Sequence, residues 1–139
     1  ASFDMVYCHQ VLEHVRYPHD LIVEVVRVLR PGGVFVGSVS YLEPYHSYSV
    51  FNFTPFGMSW ILSESGLTVI VLQHSNGALY KILRQLLGGF GFWSKFSRWS
   101  VVYGIVSIIG WLTKSSPKDV NLMKIQYSGT FAFAAKKNG

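Results

Sequence analysis

Arg27-Val28-Leu29-Arg30-Pro31-Gly32-Gly33 decides how the first third of this chain folds. Just upstream, apolar residues at Leu21, Ile22, Val25, Val26, Val28 and Leu29 recur at helical spacing, with Glu24, Arg27 and Arg30 mainly on the other side. Pro31 cannot continue that helix, and Gly32-Gly33 allows a tight reversal, so a helix from Asp20 to Arg30 is expected to turn into a strand at Val34–Val39. Before the helix, Phe3-Asp4-Met5-Val6-Tyr7-Cys8 is a short apolar run of the kind found in strands buried on both faces. A polar passage from His9 to Tyr17 follows it, and Pro18 suits a first helical turn. Strand, helix and strand in that order predict a right-handed crossover joining two parallel strands.

Further along, Tyr41 to Phe53 reads as a long aromatic loop, and Thr54-Pro55 as an N-cap with Pro at the first helical position. That helix runs from Phe56 to about Ser65 and ends at Gly66, ahead of a strand at Thr68–Gln73. Gly77 to Leu87 has the pattern of an amphipathic helix with Lys81 and Arg84 on its polar side. Gly88-Gly89-Phe90-Gly91 breaks it, and a second apolar helical stretch covers roughly Trp99 to Thr113. Ser115-Ser116-Pro117 reads as a turn, Ile125–Tyr127 as a short strand and Thr130–Ala135 as the last strand.

Charge divides the chain unevenly. Residues 1–76 carry three Arg against six Asp and Glu, whereas residues 77–139 carry nine Lys or Arg against Asp119 alone. A basic, aromatic second half suggests a job separate from that of the first. Its lysines are dispersed among apolar residues rather than gathered in a stripe, so nucleic acid is not the expected partner. Between Arg98 and Lys114 the chain is free of charge, but as a helix this stretch is about 22 Å long, short of the roughly 30 Å hydrocarbon core of a bilayer. Its flanking Trp, Lys and Arg suit an interfacial helix or a lid over a lipophilic substrate instead. Residues 77–114 are thus candidates for a membrane-surface contact, for a lid, or for helices packed on the sheet with their basic residues solvated, in a protein expected to be cytoplasmic. Cys8 is the only cysteine, which rules out an intrachain disulfide and is consistent with a reducing compartment. The chain opens on Ala1 inside an apolar run, which reads as a fragment.

Val11-Leu12-Glu13-His14-Val15, set between the strand Phe3–Cys8 and Arg30-Pro31-Gly32-Gly33, resembles the second half of a class I S-adenosylmethionine-dependent methyltransferase, of the quinone-biosynthesis-like group. The resemblance covers residues 3–76 and returns at Gly129–Lys137. It implies an α/β fold: the C-terminal half of a doubly wound, Rossmann-like methyltransferase sheet, with the last strand inserted antiparallel. Residues 1–76 would hold the fourth to sixth strands of the family sheet, residues 77–128 a helical insert or lid, and residues 129–139 the final strand with a basic tail. It also implies S-adenosylmethionine as cofactor and methyl transfer to a small or lipid-like molecule. The Gly-rich cofactor loop and the acidic residue for the ribose hydroxyls, which the family carries upstream of this strand, are not in the sequence. This chain is accordingly expected to be inactive alone.

Ligands of open parallel sheets sit just beyond the carboxyl ends of the strands, and Cys8, His9 and Gln10 occupy that place. The resemblance puts the methionine part of the cofactor against this turn, with Glu13 nearby. Glu13-His14 pairs a carboxylate with an imidazole, which could act as a general base or simply clamp the loop. Some quinone O-methyltransferases show Glu-x-x-Glu-His here and bind a divalent cation; Gln10 stands at the first position of that pattern, an amide being a weaker ligand, so no metal is expected. Tyr41, Glu43, Tyr45, Tyr48 and Phe53 offer an aromatic wall for the substrate, and His46 is the candidate base for a hydroxyl acceptor, with His14 beside it. The rival from another class is a degenerate methyltransferase-like module, without enzymatic activity, used for membrane-surface or protein binding.

Overall fold

A computed structural model describes residues 1–43, 48–86 and 101–139, with the Arg84 side chain outside the described set. Along the chain these residues form strand β1 (Phe3–His9), a single 3-10 turn (Leu12–His14), helix α1 (Pro18–Val28), strand β2 (Leu29–Ser40) and helix α2 (Pro55–Glu64). Strand β3 (Leu67–His74), helices α3 (Ala78–Leu86), α4 (Val101–Leu112) and α5 (Pro117–Ile125), and strand β4 (Thr130–Lys137) follow. The sheet order is β1-β2-β4-β3. β1 and β2 are parallel, and β4 runs antiparallel to both β2 and β3. The Rossmann-like α/β expectation is met, down to the inserted last strand.

Two local boundaries differ from the sequence reading. α1 stops at Val28 and Leu29 is already extended, with ψ 139°, because the residue before a proline is pushed out of the helical region and Arg30 must leave it first. Pro31-Gly32-Gly33 then sits inside β2 as a bulge: Phe3 pairs with Leu29 and Met5 with Val34, so two steps on β1 oppose five on β2. Gly32 takes φ +78° there, a conformation open to glycine without strain. The second correction is at Ile125–Tyr127, which is not a strand. Ser116 caps helix α5, its Oγ accepting from Asp119 N at 3.2 Å, and Ile125 closes that helix. Ser116-Pro117 is the same cap-then-proline signature as Thr54-Pro55, where Thr54 Oγ1 accepts from Gly57 N at 3.0 Å.

Register assigns the side chains to faces. Val6 and Cys8 of β1, Phe35, Gly37 and Val39 of β2, and Phe131, Phe133 and Ala135 of β4 share one face. Ile22 and Val25 of α1 and Met58 and Leu62 of α2 cover this face and complete the core. Phe35 meets Phe133 edge to face, with ring centroids 5.1 Å apart. The opposite face carries Met5, Tyr7, Val34, Val36, Ala132 and Ala134, none of which joins the core cluster among the described residues. Along β1, the terminal strand of the sheet, Phe3, Met5 and Tyr7 are 55, 61 and 66 % exposed. One face of the sheet carries the core; the other is exposed along β1, half-buried at Val34, Val36, Ala132 and Ala134, and polar and buried at Ser38, Ser40 and Thr130.

Gly37 lets β2 pass through the centre of this packing. A Cβ there would lie 2.5 Å from Phe133 Cζ and 2.7 Å from the Cys8 carbonyl oxygen. Gly37→Ala should therefore destabilise the fold by about 1–3 kcal/mol, as overpacking in a tight core does, read as a lowered urea midpoint with an unchanged slope.

Candidate functional site

Because β1 and β2 are parallel, their carboxyl ends meet at one edge, and the polar residues of both strands collect there. Gln10 leaves β1 with φ +51°, its N–H bonded to the Ser38 carbonyl at 3.0 Å. Its amide Nε2 donates to Ser38 Oγ at 3.1 Å, and Ser38 Oγ lies 2.6 Å from His9 Nδ1. One step further, Ser40 Oγ lies 3.3 Å from Gln10 Oε1, 3.1 Å from Glu13 Oε1 and 3.4 Å from Glu43 Oε2. A hydroxyl has one proton to give to these three acceptors. Lys81 of α3 reaches in from the other side, its Nζ 2.8 Å from Glu43 Oε1.

This cluster lacks a donor. Glu13 is fully buried, and its second oxygen, Oε2, has no hydrogen-bond partner among the described residues. Buried polar atoms are nearly always paired, and an unpaired carboxylate oxygen is costly. The site thus offers a buried acceptor aimed at something that carries a proton or a positive charge. The Glu13 backbone is held from above: its carbonyl accepts from Val50 N at 2.7 Å and Phe51 N at 3.2 Å. Asn52 Nδ2 donates to the Glu43 carbonyl at 3.1 Å, so the loop after β2 folds back over the same edge. Burial pushes the Cys8 thiol up from its ordinary pKa, and the neighbouring Glu13 charge adds to this.

The structure brings Cys8, His9, Gln10, Glu13 and Glu43 to one edge. His14 is half-buried on the turn that carries Glu13. Phe53 is buried in the core, and Tyr41 packs edge to face on Phe131 with centroids 6.3 Å apart; Tyr48 is exposed. Tyr45 and His46 lie outside the described residues. The sequence does not assign Ser38 and Ser40 to the site, although serines two apart at the end of an apolar strand, on one face, are a usable signal, and it places Lys81 on the polar side of a helix rather than at this edge.

A second polar group lies where α4 and α5 meet β3. His74 Nδ1 is 2.8 Å from Asn121 Oδ1, and Asn121 Nδ2 donates to the Leu72 carbonyl at 2.7 Å. Tyr103 sets its ring edge-on to His74 at 4.9 Å and its hydroxyl 2.7 Å from Ser128 Oγ. Desolvation raises the Tyr103 pKa, and the Ser128 hydrogen bond opposes part of that rise. An open groove of about 400 Å³ beside them, lined by His74, Asn121, Trp111 and Lys124 among others, shares no residue with the Glu13 cluster.

Residues 1–37, which include β1, Glu13, the helix and the Pro31-Gly32-Gly33 bulge, match the family model described as a methyltransferase domain. Solved structures extend the likeness over nearly the whole chain. The cyclase SpnF superposes with a TM-score of 0.59 at 16% identity, over 99% of this chain and 50% of its own. Phosphoethanolamine N-methyltransferase 2 of Haemonchus contortus, in complex with S-adenosyl-L-methionine, gives 0.53 at 19% identity over 99% and 34%. An S-adenosylmethionine-dependent methyltransferase from Mesorhizobium loti gives 0.53 at 14% over 97% and 62%. The fold is the Rossmann-like methyltransferase fold. This chain spans between about a third and two thirds of the length of these three structures. No curated protein matches it. A cyclase among the neighbours is a reminder that the methyltransferase fold identifies an architecture and not a reaction.

Two measurements test the site. A raised pKa means less thiolate at a given pH, so Cys8 should be alkylated more slowly than in the urea-unfolded chain near neutral pH, and the gap should close as pH rises past the folded-state value. Lys81→Met, which removes the ammonium 2.8 Å from the nearly buried Glu43 carboxylate, should lower the midpoint of a denaturant titration.

Proposed function

We propose that this edge is part of the site of an S-adenosylmethionine-dependent methyl transfer to a small or lipophilic acceptor, of the kind carried out by the quinone-biosynthesis-like group. The observation that carries this reading is Glu13 Oε2, a buried carboxylate oxygen without a donor at the carboxyl edge of two parallel strands. Such an atom fits the ammonium of an amino-acid moiety, and Gln10, with its left-handed backbone, shapes the turn beside it. Bound there, the cofactor supplies an activated methyl group on a sulfonium, and the residues of this chain align and shield it. Val50 and Phe51, hydrogen-bonded to the Glu13 carbonyl, hold the loop over the edge and keep water out. For a hydroxyl acceptor the proton goes to an imidazole, the candidates being His46 and His14, the latter on the same turn as Glu13.

The residues present fit the amino-acid end of the cofactor only. No Gly-rich strand-end loop accompanies β1, and Met5 and Tyr7 on its outer face are exposed. We read this chain as half of the site, the rest coming from polypeptide that adds a strand along the free edge of β1 and covers that face. The non-enzymatic alternative, a degenerate methyltransferase-like module, draws on the same exposed residues and on the basic second half.

Methyl transfer from labelled S-adenosylmethionine distinguishes the two. The 139-residue chain alone should give no turnover above background, and clear turnover would refute the half-site reading. A longer polypeptide that completes the sheet should bind S-adenosylhomocysteine, and Glu13→Gln in it should weaken that binding about tenfold or more, the worth of a hydrogen bond to a charged group. Unchanged affinity would remove Glu13 from the site, and no binding by the longer protein would favour the non-enzymatic module.

A further inference from the structure

α4 is apolar on two sides. Val106 and Gly110 are buried, Gly110 against the Val120 side chain of α5, and Tyr103 is tied to Ser128, so this side faces the protein. Val101, Ile105, Ile108 and Leu112, spaced four, three and four apart, form a stripe on the outside, with Ile109 and Trp111 beside it. All six are exposed, Trp111 by 78 % and Val101 by 74 %. A helix on a protein surface normally turns charged and polar residues outward, and an exposed apolar stripe marks a contact.

The surrounding charge indicates what the contact is. α4 contains no charged residue, and exposed Lys114 and Lys118 lie just past its C-terminal end beside Trp111. Between residues 77 and 128 the only acid is Asp119, and its carboxylate is engaged by Ser116 Oγ at 2.7 Å. A second copy meeting it through the same helix would bring the same lysines against Asp119 alone, whereas an anionic surface supplies counter-charge along the whole contact. No helix among the described residues is long and apolar enough to cross a membrane; at twelve residues, α4 is about 18 Å long.

We propose that α4 docks on an anionic lipid bilayer, lying in the plane of the interface with the Val101–Leu112 stripe among the acyl chains and Lys114 and Lys118 at the headgroups. This surface is independent of whether the sheet edge transfers methyl groups. α3, whose Lys81 bonds Glu43, carries Leu79, Ile82, Leu83 and Leu86 as a second set of exposed apolar side chains.

Co-sedimentation with phosphatidylcholine vesicles, with and without phosphatidylserine, tests the proposal without any readout of catalysis. The chain should pellet with the anionic vesicles, less so as salt is raised, and only weakly with phosphatidylcholine alone. The I105S/I108S variant should lose on the order of tenfold or more in partitioning, and K114Q/K118Q on the order of fivefold for each lysine. Quenching of tryptophan fluorescence by brominated lipid, reduced in Trp111→Phe, provides a second readout should the double serine variant fold poorly. Absence of pelleting, or pelleting that neither variant reduces, would overturn the proposal. So would a dimer in sedimentation velocity, without lipid, that I105S/I108S dissolves, since the stripe would then belong to a second copy.

Discussion

Two parallel strands must end at the same edge of a sheet, and the pairing of β1 with β2 sets the rest of this structure around that edge. It places Gln10 beside Ser38 and lets Ser40 reach Glu13, although twenty-seven residues separate the last two. It also requires a crossover, supplied by α1, whose apolar side becomes one wall of the core. The bulge at Pro31-Gly32-Gly33 absorbs the mismatch between a helix that must stop and a strand that must start in register. Gly37 then keeps β2 close enough to β1 and β4 for Phe133 to lie across it.

That arrangement concentrates unsatisfied polarity at one point. Ser40 and Lys81 serve the Glu13 and Glu43 carboxylates, and among the described residues Glu13 Oε2 has no donor. A buried polar atom without a partner is rare and costly, which sets this oxygen apart from the paired ones around it. The two exposed apolar regions, along β1 and along α4, differ in kind. β1 offers unpaired backbone groups and alternating side chains, which suit another strand, whereas α4 bonds its backbone internally and offers, beside Ser107, an apolar stripe that suits acyl chains.

Much of the fold was legible from local rules. Thr54-Pro55 announced a helix start, Pro31-Gly32-Gly33 a helix end, and the apolar run Phe3–Cys8 a strand, because each depends on backbone chemistry within a few residues. Ser116-Pro117 carried the same start signal and was read as a turn, since the helix that follows has only a weak apolar period. Of the site, Cys8, His9, Gln10 and Glu13 were reachable through their place after a strand. Lys81 was not, because on its own helix it is an ordinary polar-side lysine and only the return of α3 toward the loop brings it to Glu43.

The amino-acid sequence by itself determined the order of strands and helices from Phe3 to Leu86, the helix limits set by proline and glycine, and the basic, apolar character of the second half. Those follow from steric and solvation preferences that each residue carries with it. Tertiary structure alone decided that Ser40 bridges Glu13 and Glu43, that Glu13 Oε2 is left without a donor, and that one side of α4 faces outward. Burial and pairing are properties of which segments meet, and no local pattern states which ones will.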